Sequence, residues 1–119
     1  MTVYRLGEIE TKFADIIWQN EPLSSGELLK MCEKELNWKK STTYTILHRL
    51  CERGIFKNDK GTVTSLISKN EFNALQSEQF IDENFAGSLP GFLAAFSTRK
   101  KLTEKEIKEL QKLIEQSSR

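Results

Sequence analysis

Between Leu6 and Trp18 the apolar residues Leu6, Ile9, Phe13, Ile16 and Ile17 recur at helical spacing, and Trp18 closes the run. The pattern predicts an amphipathic helix that ends before Asn20-Glu21-Pro22, where proline stops it. Ser24 then opens SSGE, with Glu27 placed to close a capping box and Leu23 and Leu28 spaced as a hydrophobic staple. Leu28, Leu29, Cys32 and Leu36 give the second helix its buried face. Asn37-Trp38 makes a turn, and a third helix is expected over Ser41 to Arg53, with Thr43, Ile46, Leu47 and Leu50 inward and Gly54 as a left-handed C-cap. Ile55-Phe56 and Thr62 to Ile67 are β-rich runs around Asn58-Asp59-Lys60-Gly61, a hairpin signal with glycine where positive φ is needed.

From Ser68 the pattern becomes wholly helical. Ser68 and Glu71 have capping-box spacing, and a helix with Phe72, Leu75, Phe80 and Ile81 runs to about Phe85, where Gly87 breaks it. Ser88-Leu89-Pro90 starts another helix, with Phe92, Leu93 and Phe96 on its apolar side. Thr103 and Glu106 open a last one carrying Ile107, Leu110, Leu113 and Ile114. Five of the seven phenylalanines lie between Phe72 and Phe96. Helices this short cannot bury so many rings against each other, so either a second copy covers them or they cover the preceding domain; an obligate interface resembles a core cut in half. Phe72, Phe80, Phe85, Phe92, Phe96, Leu110 and Leu113 are the candidate dimerisation residues.

Charge changes the picture by its distribution rather than its total. The 119 residues sum to only +1. Within residues 38–61, however, Lys39, Lys40, Arg49, Arg53, Lys57 and Lys60 face only Glu52 and Asp59, whereas residues 1–37 and 70–98 are net acidic and 99–119 net basic. Such segregation predicts one cationic face. A basic helix that runs directly into a charged two-stranded wing is how a winged helix-turn-helix meets DNA. The expected architecture is mainly α with a small β-wing: a winged helix-turn-helix domain over residues 1–68, then a three-helix dimerisation domain over 69–119.

On that reading the exposed side of the third helix supplies the base-facing groups. Ser41, Thr42, Tyr44, Thr45 and His48 are the candidates, since hydroxyls donate or accept and threonine methyls pack on thymine methyls. The helix N-terminus offers free N–H groups to a phosphate. Lys39, Lys40, Lys57 and Lys60 would neutralise phosphates, setting affinity and salt dependence but not sequence. The plainer alternative is a solvated basic face, but here helix, hydroxyl cluster and wing coincide.

The order LGEIETKFADIIW, SSGELL, STTYTILHRLCERG, the wing, GSLPGFLAAF and LTEKEIKELQKLIE resembles the penicillinase-repressor family, the BlaI/MecI type of transcriptional repressor. The most specific parts are IIW at 16–18, the Thr-x-x-Thr-x-x-x-Arg-Leu pattern at 42–50 and LTEKEIKEL at 102–110, and the resemblance runs from about Leu6 to Glu115. It implies a bacterial, dimeric winged-helix repressor whose first domain binds operator DNA and whose last three helices dimerise. Arg49 matches a family position that anchors backbone or braces the helix. In the best-known members a membrane sensor for β-lactams leads to cleavage of an Asn-Phe bond in the dimerisation domain. The matching position is Ala95-Phe96, with alanine in place of asparagine. A copper-responsive branch ends in a cysteine-rich metal motif, and no cysteine follows Cys51, so that switch is not expected.

Several function classes drop out. His48 is the sole histidine, and metal sites need clustered ligands. Cys32 and Cys51 sit at apolar helical positions, where buried thiols are commoner than redox switches; they make no disulfide framework and point to a reducing cytoplasm, bacterial on the resemblance. No apolar run approaches the ~20 residues of a membrane helix. No nucleophile–base set, phosphate loop or paired-carboxylate site is recognisable, so neither an enzyme nor a cofactor is expected. The expected partners are an operator duplex and a second copy, and the resemblance implies a sensor-linked protease. Two alternatives stay open: a protein-interaction module whose basic face docks an acidic partner, and a regulator sensing a small molecule in its aromatic C-terminal region.

Overall fold

The computed structural model describes residues 4–117. Its elements are α1 (Glu8–Asn20), β1 (Leu23–Ser24), α2 (Ser25–Leu36), α3 (Lys40–Glu52), β2 (Phe56–Asp59), β3 (Thr62–Ser65), α4 (Lys69–Phe85), α5 (Leu89–Arg99) and α6 (Glu104–Ser117). Compact packing divides the chain between Gln79 and Phe80, inside α4.

In the first unit, α1 to α3 close against a three-stranded antiparallel sheet in the order β1-β3-β2. Phe13, Ile17, Leu28, Leu47, Leu50, Ile55, Phe56 and Val63 form its core. Each such side chain contributes about 1.5–3 kcal/mol by leaving water. The short strand β1 was not legible in the sequence; it pairs Leu23 with Val63 and Ser24 with Thr62. The hairpin is shorter than the β-rich runs suggest, because Ile55 leaves the ladder to bond Leu50 and Leu66. Asp59 pairs with Thr62, so the turn is the two residues Lys60 and Gly61, both at positive φ. That is the backbone of a tight primed hairpin turn. The hairpin tip is fixed to α2 by the Ser25 N–H bonding the Gly61 carbonyl at 2.8 Å.

Phe72 belongs to this first core. It is 3% exposed and packs on Trp18 and Tyr4, with ring centroids 5.7 and 6.1 Å apart. The dimerisation role read for Phe72 therefore loses its physical basis: the ring already has a cover and no surface to offer a second chain. The start of α4 packs with the first unit accordingly, and Lys69 pairs with Asp15 of α1 at 2.9 Å. Trp18, half-buried, donates its indole N–H to the Ile67 carbonyl at 3.0 Å. Ile9, expected on the inner face of α1, stays half exposed at the helix start.

The second unit joins the end of α4 to α5 and α6. Ser88 caps α5 through the Gly91 N–H, and Thr103 and Glu106 make a reciprocal capping box at α6. The bonds to Thr103 hold the Glu106 carboxyl below its ordinary range. No described residue of α5 or α6 is buried. Phe80, Phe85, Phe92 and Phe96 form a chain of ring contacts, centroids 5.6–6.1 Å apart. Beside it lies an apolar groove of about 290 Å³ with Phe92, Phe96, Leu102, Leu110 and Leu113 in its lining. Among the described residues no helix is long and apolar enough to cross a membrane.

Candidate nucleic-acid interface

The turn between α2 and α3 is set by Asn37, whose backbone is left-handed at φ 55°. Asparagine is among the few residues that enter this region readily. Trp38 follows, stacked on Phe13 at 5.5 Å, and fixes where α3 begins. The helix then sorts its residues by side. Thr43, Leu47 and Leu50 are buried, and Ser41, Thr42, Tyr44, Thr45, His48 and Arg49 are exposed. Thr43 is the one buried polar side chain among the described residues; its hydroxyl bonds the Lys39 carbonyl at 3.3 Å.

Two sides of α3 are occupied. Towards α1, Arg49 comes within 3.7 Å of Glu10 and Arg53 donates to the Arg5 carbonyl at 2.8 Å. This favours the bracing role among the two read for Arg49. Towards the hairpin, Tyr44, Leu47, His48 and Cys51 line a cleft of about 430 Å³ together with Asn58 of β2. From the sequence Asn58 is legible only as part of the hairpin signal, since only tertiary packing brings β2 beside α3. Its backbone bonds Cys51, opposing the burial that pushes that thiol up.

Between those flanks the outward side carries Ser41, Thr45, His48 and Glu52. His48 Nε2 lies 3.1 Å from Glu52 Oε1. Thr45 turns its hydroxyl to the Ser41 carbonyl at 2.8 Å. Both pairs have i,i+4 spacing, the signal from which they are legible. No side chain caps α3, whose N-cap is Lys39, whereas Ser24, Ser68, Ser88 and Thr103 each take a backbone N–H at the start of α2, α4, α5 and α6. Lys39, Lys40, Lys57 and Lys60 are all exposed. Among the described residues no cluster of three or more His, Cys, Asp or Glu could hold a metal ion.

Three helices, the third exposed along one side, followed by a basic two-stranded hairpin, define a winged helix-turn-helix protein, a class that binds duplex DNA. The penicillinase repressor family model matches residues 6–116, and the chain belongs to that family. The family is one of DNA-binding transcriptional repressors, not of enzymes. The chain is similar to the methicillin resistance regulatory protein MecI of Staphylococcus aureus, 23% identical over 115 residues that cover 93% of this chain and 94% of that protein. It is also similar to the penicillinase repressor of Staphylococcus aureus, 23% identical over 109 residues, or 88% of this chain and 86% of that one. Among solved structures, the multiple antibiotic-resistance repressor (MarR) from Listeria monocytogenes matches with a TM-score of 0.47 and 18% identity, over 95% of this chain and 73% of the other.

Proposed function

We propose that the chain represses transcription as a homodimer bound to a palindromic operator, with α3 of each protomer in the major groove and the β2–β3 hairpin against flanking phosphates. The observation that carries this is the sorting of α3. Its apolar side is consumed by the core, and its exposed residues include Ser41, Thr42, Tyr44, Thr45 and His48, with Glu52 paired to His48. Lys39, Lys40, Lys57 and Lys60 then supply sequence-independent grip. Two-fold symmetry of the dimer would be mirrored in half-sites spaced by whole turns of duplex.

The second unit supports pairing because it lacks a core of its own. Phe96, Leu113 and Ile114 are 41%, 58% and 64% exposed. A second copy would cover them together with Phe80, Phe85, Phe92 and Leu110. Release of DNA by a sensor-linked protease acting at Ala95-Phe96 belongs to the same proposal. That bond lies inside α5, so a protease needs this helix locally unwound before it can bind the chain as an extended strand. Cutting there would separate α6 from most of α5, the two helices that line the groove.

The test is selection of duplexes from a random pool by the intact chain. Recovery of an inverted repeat, protected as two half-sites by one dimer, is the expected result. Recovery of no preferred sequence at physiological salt would reject the proposal.

A further inference from the structure

We infer that Thr45 reads its base pair through its methyl group, by packing against the 5-methyl of a thymine in the major groove, and not by donating its hydroxyl proton to a base. This rests on the operator-binding reading above and deepens it, by naming the chemistry at one position.

A threonine hydroxyl carries one proton. In Thr45 that proton is directed at the Ser41 carbonyl, 2.8 Å away along the same helix, so it is not available to an acceptor on a base edge. The bond holds Oγ1 back against the helix, as a helical threonine can from either of two wells. Cγ2 is then the side-chain group without a partner along the helix. Thr45 is exposed and lies on the side of α3 opposite the buried Thr43, Leu47 and Leu50. The methyl is thus presented where a groove floor would lie.

Ser41 and Thr42, by contrast, make no side-chain hydrogen bond among the described residues, so their hydroxyls keep both donor and acceptor capacity. In the major groove thymine alone presents a methyl, which separates A·T and T·A from G·C and C·G and from each other. An apolar reader at Thr45 beside polar readers at Ser41 and Thr42 divides the recognition of neighbouring base pairs by chemistry.

The experiment uses the intact chain and a duplex selected by it from a random pool. Thr45→Val keeps a methyl in place and removes the hydroxyl; Thr45→Ser does the reverse. Each protein is titrated against the selected duplex and against versions in which single thymines are replaced by deoxyuridine, which pairs identically but lacks the methyl. The expected result is that Thr45→Val binds within about twofold of the parent and Thr45→Ser about tenfold more weakly. One deoxyuridine position should cost the parent and Thr45→Val a similar factor while costing Thr45→Ser nothing further, the non-additivity of two groups in contact. Full affinity in Thr45→Ser with loss in Thr45→Val, or equal deoxyuridine losses in all three proteins, overturns the inference and leaves operator binding standing. Failure of the parent to prefer the selected duplex over random duplex overturns both.

Discussion

The Glu21 carboxylate, at the end of α1, accepts both the backbone N–H and the hydroxyl of Ser65, each at 2.8 Å. Ser65 is the last residue of β3 and pairs with Phe56 at the base of the hairpin. One side chain from the first helix therefore anchors the wing where it leaves the sheet. Hydrogen bonds to a charged group contribute more than neutral ones, and this pair is only half-buried. Glu21→Ala should lower unfolding free energy by about 1–2 kcal/mol, and Glu21→Gln, which keeps an acceptor, by about half that. Urea titration with an unchanged slope is the check. An alanine variant as stable as the parent would show that water replaces these bonds without cost.

At the wing tip, Lys60 holds a left-handed backbone at φ 51°. For a residue with a Cβ this costs about 1 kcal/mol. Asparagine enters that region more readily, so Lys60→Asn should raise stability by roughly 0.5–1 kcal/mol. The same change removes a cation from the proposed backbone grip. DNA affinity should fall for all sequences, with the salt slope shallower by about one unit. Unchanged affinity would remove Lys60 from the interface.

Pairing can be tested on the last helix. Replacing both Leu113 and Ile114 with aspartate puts charge on the most exposed apolar positions of α6. Sedimentation should show a dimer for the parent and a monomer for the double variant. Operator affinity should drop roughly a hundredfold, since the second half-site no longer binds at high effective concentration. A parent that sediments as a monomer at micromolar concentration would contradict the dimer.

The two thiols should separate by reactivity. Burial pushes Cys32 up to about 11, with a bond from Thr43 opposing, while Cys51 is raised and only half-buried. At pH 8, iodoacetamide should modify Cys51 first and reach Cys32 only under denaturing conditions. The raised value also gives a sign for stability. The folded chain holds the Cys32 proton more tightly than the unfolded one, so this contribution is complete below the ordinary value of 9.0 and is lost as pH rises through about 11. In Cys32→Ala the alkaline loss should be smaller by that component. Equal alkylation rates for both thiols in the native protein would contradict the burial argument.

Much of the fold was legible because its signals are local. Helical periodicity gave all six helices, and Ser24, Ser68, Ser88 and Thr103 marked four of their starts. Lys60-Gly61 sat in the right place for a tight turn. β1 was hidden, since two residues carry no period, and its pairing with β3 is set by tertiary packing alone. Phe72 was grouped with the later aromatics by proximity in sequence; only Tyr4 and Trp18, distant in the chain, make it part of the first core. On α3 the outward residues follow from the helical period, because Thr43, Leu47 and Leu50 share the opposite, buried side. What that period could not supply was the partner of each side: Glu10 beside Arg49, and Asn58 beside Tyr44 and His48.

The central claim is that α3 reads sequence while the lysines grip, and one comparison tests it directly. Parent, Lys40→Ala and Tyr44→Ala are titrated at physiological salt against a selected palindromic duplex and a random duplex of equal length. Lys40→Ala should weaken both by a similar factor and leave their ratio unchanged. Tyr44→Ala should weaken the selected duplex about tenfold or more and the random one little, collapsing the ratio. Equal losses on both duplexes for both variants would contradict a base-reading face on α3.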